Sequence, residues 1–222
     1  MTIDASIPAA VVLLSGGMDS VTLLHYVVRD LKVPLVHALS FHYGQKHSRE
    51  LEMAHWQVRA AGLKVHLELD IRLLSDITRG GSALTDPAIE VPDLASLSPD
   101  ALRQPPTYVP NRNMILLSLA AAYAESQGMS HVFFGAQQQD AYGYWDCTAA
   151  FVEGLNAVLA QNHGVPVRIM APFVHRSKRE IVAIGRSLGV DYAHTWSCYR
   201  GGETPCGTCP TCVERERALG PE

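Results

Sequence analysis

Residues 15 to 20 read Ser-Gly-Gly-Met-Asp-Ser and follow directly on the apolar run AAVVLL at 9–14. Two glycines and an acid where a strand becomes a helix suit an anion. Gly16 and Gly17 let backbone approach closely, and the helix that follows offers free N–H groups and a positive dipole end. The usual phosphate loop carries a lysine for the β/γ-phosphates, and here the first lysine is Lys32. A loop of this kind suits the pyrophosphate that leaves when ATP is split at the α-phosphate. Asp19 and Ser20 could cap the helix, and Asp19 could also help to hold Mg²⁺. The plainer alternative is a strand-to-helix turn with an Asp/Ser cap.

The strongest local signal lies at the other end of the chain. WSCYRGGETPCGTCPTC spaces Cys198, Cys206, Cys209 and Cys212 as C-x₇-C-x₂-C-x₂-C, four thiolates within 15 residues. Such a set makes a tetrahedral structural Zn²⁺ site with no open position, contributing folding energy rather than catalysis. A redox C-x-x-C or an iron–sulfur cluster are the competing assignments. In TYVPNRN (107–113), Arg112 and Asn113 sit at the start of a helix, where a guanidinium fork suits phosphate or carboxylate, or is simply exposed. HYGQKH (42–47) gathers Lys46 and His47 at a strand end, for anion contacts or as a solvated loop. GAQQQDAYGYWDC (135–147) brings Asp140, Asp146, Cys147 and several aromatics together, which suits a flat heterocycle with N–H donors. A cysteine such as Cys147, taken alone, is more often a small buried hydrophobe than a nucleophile.

Positioning these groups requires strands alternating with helices. Strand-length apolar runs are expected at 10–14, 33–41, 64–71, 131–136 and 168–173. Helices are expected at 21–31, at 47–62 closed by Gly62, at 113–128, at about 148–161, and from Ser177, which with Glu180 fits a capping box. The pattern implies an α/β fold, a parallel sheet with helices on both faces, whose ligands lie beyond the carboxyl ends of the strands. Residues 75 to 110 carry six of the 13 prolines and are too long for an ordinary connection, so a functional loop or lid is expected there.

The 222 residues suffice for one large domain. No apolar run reaches the roughly 18 residues a bilayer requires, and the N-terminal MTIDASIP does not look like a secretion signal, so a soluble cytoplasmic protein is expected. A net charge of −4, with 18 basic residues scattered along the chain, disfavours a nucleic-acid partner.

Taken in order, SGGMDS, FHYGQKH, GSALTD, TYVPNRN and WSCY with its C-x-x-C-x-x-C tail resemble the 7-cyano-7-deazaguanine synthases (QueC), of the N-type ATP pyrophosphatase group, over about 200 residues. The resemblance implies a Rossmann-like adenine nucleotide alpha hydrolase fold, with a PP-loop domain over 1–195 and a zinc-binding segment over 196–222 packed on it. It implies an ATP-dependent enzyme that takes 7-carboxy-7-deazaguanine and ammonia to the nitrile through an adenylated carboxylate and an amide. Leu14, Ser15, Gly16, Gly17, Met18, Asp19 and Ser20, with Asn113, would hold the nucleotide and Mg²⁺. Arg112 would contact phosphate or carboxylate, Lys46 and His47 would steady charge, and a homodimer would be the assembly. Trp145 and Thr148 depart from the proline and arginine of the family's S-G-Y-P-D-C-R pattern, which points to a second possibility: a paralogue that passes the acyl group to another amine, such as a protein N-terminus. A tRNA-modifying enzyme of the same superfamily is a third.

Overall fold

The computed structural model describes residues 7–46 and 49–221. Five parallel strands form its single sheet: β1 (Ala9–Leu13), β2 (Leu35–His42), β3 (Val65–Asp70), β4 (His131–Phe133) and β5 (Arg168–Met170), in the order β3-β2-β1-β4-β5. Between β1 and β2 runs α1 (Met18–His25), continued by a π-turn over Tyr26–Asp30, and α2 (Arg49–Ala60) leads to β3. Two short helices, α3 (Leu73–Ile77) and α4 (Pro99–Arg103), interrupt the long irregular segment before α5 (Arg112–Ser126). Then follow α6 (Ala149–Leu159), α7 (Lys178–Ser187) and α8 (Pro210–Leu219).

Strand β1 shows why a parallel sheet needs two covers. Its side chains alternate, so Ala10 and Val12 enter one apolar layer while Val11 and Leu13 enter the other. The first layer packs α1, α2 and α7 through Leu23, Leu24, Val58 and Ile181; the second packs α5 and α6 through Leu117, Ala121 and Val152. Burying a leucine or valine fully is worth about 1.5–3 kcal/mol each, so the chain's apolar runs dictate this layering.

Several local expectations hold in detail. Gly62 closes α2 with φ +73°, and Ser177 caps α7 with Glu180 completing the reciprocal box. The first helix differs: it starts at Met18 rather than 21, with Gly17 at the cap and no side-chain cap bond. Asp19 and Ser20 lie inside the first turn, so neither is the cap. Chain order runs outward from β1 to β3 and then crosses back to β4, so β1 and β4 flank the switch point where an open α/β sheet leaves a crevice. No helix among the described residues is long and apolar enough to cross a membrane.

Candidate functional site

A cavity of about 580 Å³ opens at this switch point, walled by the loop after β1, the start of α5, the turn after β4, and the C-terminal segment. The loop is preformed by its own hydroxyls. Ser20 Oγ donates to the Gly17 carbonyl at 3.1 Å and accepts from the Ser15 amide at 3.1 Å. With its proton so placed, it must also accept from Ser15 Oγ at 3.0 Å, whose own lone pair takes the Gly17 N–H at 3.2 Å. The first turn of α1 carries no side-chain cap, and Met18, Asp19 and Ser20 line the cavity, as an anion cradle requires.

The two glycines do different things. Gly17 lines the cavity, whereas Gly16 has φ +90° and packs against the first turn of α2, where a Cβ would come within 1.9 Å of the Glu50 carbonyl oxygen. Gly16 also accepts from Trp196 N at 3.0 Å, tying the loop to the C-terminal segment. Its requirement for glycine thus comes from protein contacts.

Beside the loop lies a charged cluster. Lys178 Nζ, from the start of α7, is 2.9 Å from Glu214 Oε2 and 3.5 Å from Asp19 Oδ2, and burial of this lysine is outweighed by Asp19, Glu214 and Asp140, which keep it charged. Burial raises the Asp19 carboxyl against the pull of Lys178, and burial together with Asp19 raises Asp140 to about 7. Asp19 Oδ1 is buried with no hydrogen-bond partner. The orphaned oxygen of Asp19, in the first turn after the loop, suits a contact to a divalent cation.

Arg112 lines the same cavity. It is half-buried, donates from Nη1 to Tyr43 OH at 3.2 Å, and lies 5.5 Å over the same ring. Among the described residues no carboxylate pairs with it within 4.0 Å. A half-buried guanidinium with no carboxylate beside it suits an anionic ligand.

Glu50 lines the same cavity, and burial pushes its carboxyl from 4.5 to about 7 despite Arg112. A folded pKa above the unfolded one stabilises the fold fully below about 4.5 and loses that contribution as pH rises through 7. The ligand-free protein should thus lose about 1–3 kcal/mol from Glu50 between pH 5 and 8. In Glu50→Gln the fall in Tm over this range, followed by calorimetry, should be visibly shallower.

Of the remaining expected site residues, Leu14, Met18, Asn113, Asp140 and Cys147 line the cavity with the loop. Asn113 Nδ2 donates to Cys147 Sγ at 3.1 Å, and burial with Asp140 and Asp146 raises the thiol well above its usual range, so it is neutral. Asp146 does not line the cavity. Its Oδ2 accepts from Asn113 N at 3.1 Å, capping α5 from outside the helix because Asn111, at the cap position, supplies no side-chain bond. Lys46 also points elsewhere, its Nζ donating to the Ile89 carbonyl at 2.5 Å, and His47 lies outside the described residues. Neither Trp145 nor Thr148 is in the wall: Trp145 is 49% exposed and donates to Tyr108 OH, and Thr148 caps α6 by accepting from Phe151 N. Sequence reasoning missed Lys178, Glu214 and Glu50. The first two reach the site from α7 and α8, more than 150 residues from the loop, and only the capping box at Ser177 marked the place.

The four cysteines converge. Their sulfur atoms all lie within 4.8 Å of one another, and amides of Cys206 and Cys209 donate to the sulfurs of Cys198 and Cys206 at 3.4 and 3.3 Å. This cluster can hold a metal ion. Around it, Leu94 N bonds to the Thr208 carbonyl, and Arg200 bonds to the Val91 carbonyl, Asp93 and Thr208. The Pro-rich segment is thereby fastened to the metal segment, and Leu94 and Leu97 complete the cavity.

Comparison with known proteins adds family to geometry. Residues 9–221 match the family described as queuosine biosynthesis protein QueC. A 7-cyano-7-deazaguanine synthase from Chromohalobacter salexigens is 50% identical over 95% of this chain and 81% of its own. That of Archaeoglobus fulgidus is 48% identical over 95% and 85%. Among solved structures, NMN synthetase from Francisella tularensis matches with a TM-score of 0.51 and 16% identity over 91% of this chain and 71% of that one. The U34-tRNA thiolase NcsA from Methanococcus maripaludis matches with 0.50 and 13% over 96% and 65%. At such identities these two speak for the fold alone.

Proposed function

The chain belongs to the queuosine biosynthesis protein QueC family, and from that premise we propose that it is a 7-cyano-7-deazaguanine synthase, converting 7-carboxy-7-deazaguanine and ammonia to the nitrile with ATP. The observation that carries this is Arg112, a part-buried cation without a carboxylate partner among the described residues, lining the same cavity as a preformed anion loop. A carboxylate is a poor electrophile, and hydroxide a poor leaving group. Attack of the substrate carboxylate on the α-phosphorus of ATP expels pyrophosphate and repairs both faults. Ammonia then displaces AMP to give the amide; a second ATP adenylates the amide oxygen with loss of pyrophosphate, and expulsion of AMP with loss of both amide protons leaves the nitrile.

In this scheme Arg112 orients the carboxylate, and the amides of the Ser15–Ser20 loop with Lys178 receive the pyrophosphate portion. Asp19, through its unpartnered oxygen, would hold Mg²⁺, which when bound screens phosphate charge. Glu50, with a pKa near neutrality, accepts the proton that the attacking ammonia sheds. The four cysteines hold Zn²⁺: a zinc–sulfur bond of about 2.3 Å puts sulfurs roughly 3.8 Å apart in a tetrahedron, close to the 3.9 Å between Cys206 and Cys212. Sulfurs within 4.8 Å of one another leave no room for a four-iron cluster. A cytoplasmic homodimer completes the proposal, its assembly to be measured by light scattering.

Mass spectrometry of the products from ATP, Mg²⁺, 7-carboxy-7-deazaguanine and ammonium tests it. Nitrile with AMP is the expected result. AMP with an adenylate or amide and no nitrile would assign the chain to acyl transfer onto another amine. The placement of Trp145 and Thr148 outside the cavity wall favours the nitrile. Cys147→Ala separates two roles for the thiol: turnover should fall at least about tenfold while stability changes by about 1 kcal/mol. Unchanged turnover would return Cys147 to the core.

A further inference from the structure

We propose that His55, His66 and Glu68 form a binding site for a divalent transition metal ion, with Zn²⁺ as the type, separate from both the cavity and the four-cysteine cluster. His66 and Glu68 are two residues apart on the edge strand β3 and therefore project from the same face. His55 comes down onto them from α2. One ligand atom from each of the three lies within 4.8 Å of the others. His55 Nε2 is 2.5 Å from Glu68 Oε1, and the His55 and His66 rings meet edge to face at 4.9 Å.

The tautomer of His66 is fixed by a chain of hydrogen bonds. Ser40 Oγ spends its one proton on the Leu14 carbonyl at 2.6 Å, so at 2.7 Å from His66 Nε2 it can only accept. His66 is thus protonated at Nε2, and Nδ1 keeps its lone pair. This is the arrangement of a metal-binding histidine, whose second nitrogen donates to an oxygen that orients the ring.

Two imidazoles and one carboxylate are a ligand set for zinc and its neighbours, and the side chains of His55 and Glu68 are 47% and 37% exposed, so an ion can enter from solvent and keep water on its remaining positions. A bound ion would replace the direct His55–Glu68 contact and pin α2 to β3. The first turn of α2 carries Glu50, and the Ser40 bond ends on the residue that precedes the anion loop, so the ion would brace the loop from behind.

The test is a Zn²⁺ titration of protein whose four-cysteine site is already filled, followed by calorimetry and by metal analysis after dialysis. Wild type should take up one equivalent beyond the cysteine-bound ion and gain thermal stability on doing so. His55→Gln and Glu68→Gln should each weaken that equivalent at least about tenfold, with the cysteine-bound ion and the Tm without added metal unchanged. Both positions are surface ones, so these variants are expected to fold. No second equivalent in wild type, or wild-type affinity in both variants, would overturn the site and leave His55 and Glu68 as an ordinary ion pair.

Discussion

Arg112→Ala is expected to lower kcat/KM by about 10²–10³-fold while leaving the ligand-free protein as stable as before, or more so. The kinetic loss follows from removing a cation that lines the cavity, where charged hydrogen bonds are worth about 3–4 kcal/mol in a dry site. The unchanged stability follows from the same isolation. Among the described residues Arg112 has only Tyr43 OH and Asn113 Oδ1 as side-chain partners, so its deletion breaks no ion pair and removes a partly desolvated charge. Arg112→Lys should recover part of the activity but not all, because an ammonium lacks the planar fork. Steady-state kinetics with the carboxylate varied, beside a thermal melt, checks both halves; wild-type kinetics would remove Arg112 from the site.

Cys206→Ser is expected to abolish both metal binding and most activity, for a reason that lies outside the cavity's chemistry. Structural zinc supplies several kcal/mol of folding energy, so the Tm should fall by about 10 °C or more for a chain of this size. The metal segment also holds the wall. Thr208 anchors Leu94 and Arg200, Trp196 N grips Gly16, and Tyr199 and Glu214 face the ligand space. Losing the metal should therefore loosen the Pro-rich segment and the anion loop together. Metal analysis and limited proteolysis between residues 80 and 105 measure the two effects separately. Retained metal with wild-type activity would show that three cysteines suffice.

How much of this could be read from the sequence depends on the distance over which each feature is determined. The strands, the capping box at Ser177 and the C′ glycine at 62 are local, because side-chain alternation and backbone φ act within a few residues. The spacing of the four cysteines is local in the same sense, and so the converging sulfurs follow from it. Helix α1 is the exception among local features. It begins three residues early because the hydroxyl ring of Ser15 and Ser20 shapes the turn, leaving Gly17 at the cap.

What only the tertiary structure decided is which charges share the cavity. Lys178 and Glu214 meet Asp19 across the fold, Glu50 enters because Gly16 lets α2 come close, and Asp146 and Lys46 are drawn off to cap a helix and to hold the Pro-rich segment. The sequence by itself determined the family, the sheet and the two anion- and metal-binding motifs, since each rests on spacing along the chain. Partners for a buried charge come from whatever the packing of distant helices brings within a few ångströms, and spacing along the chain carries no record of that distance.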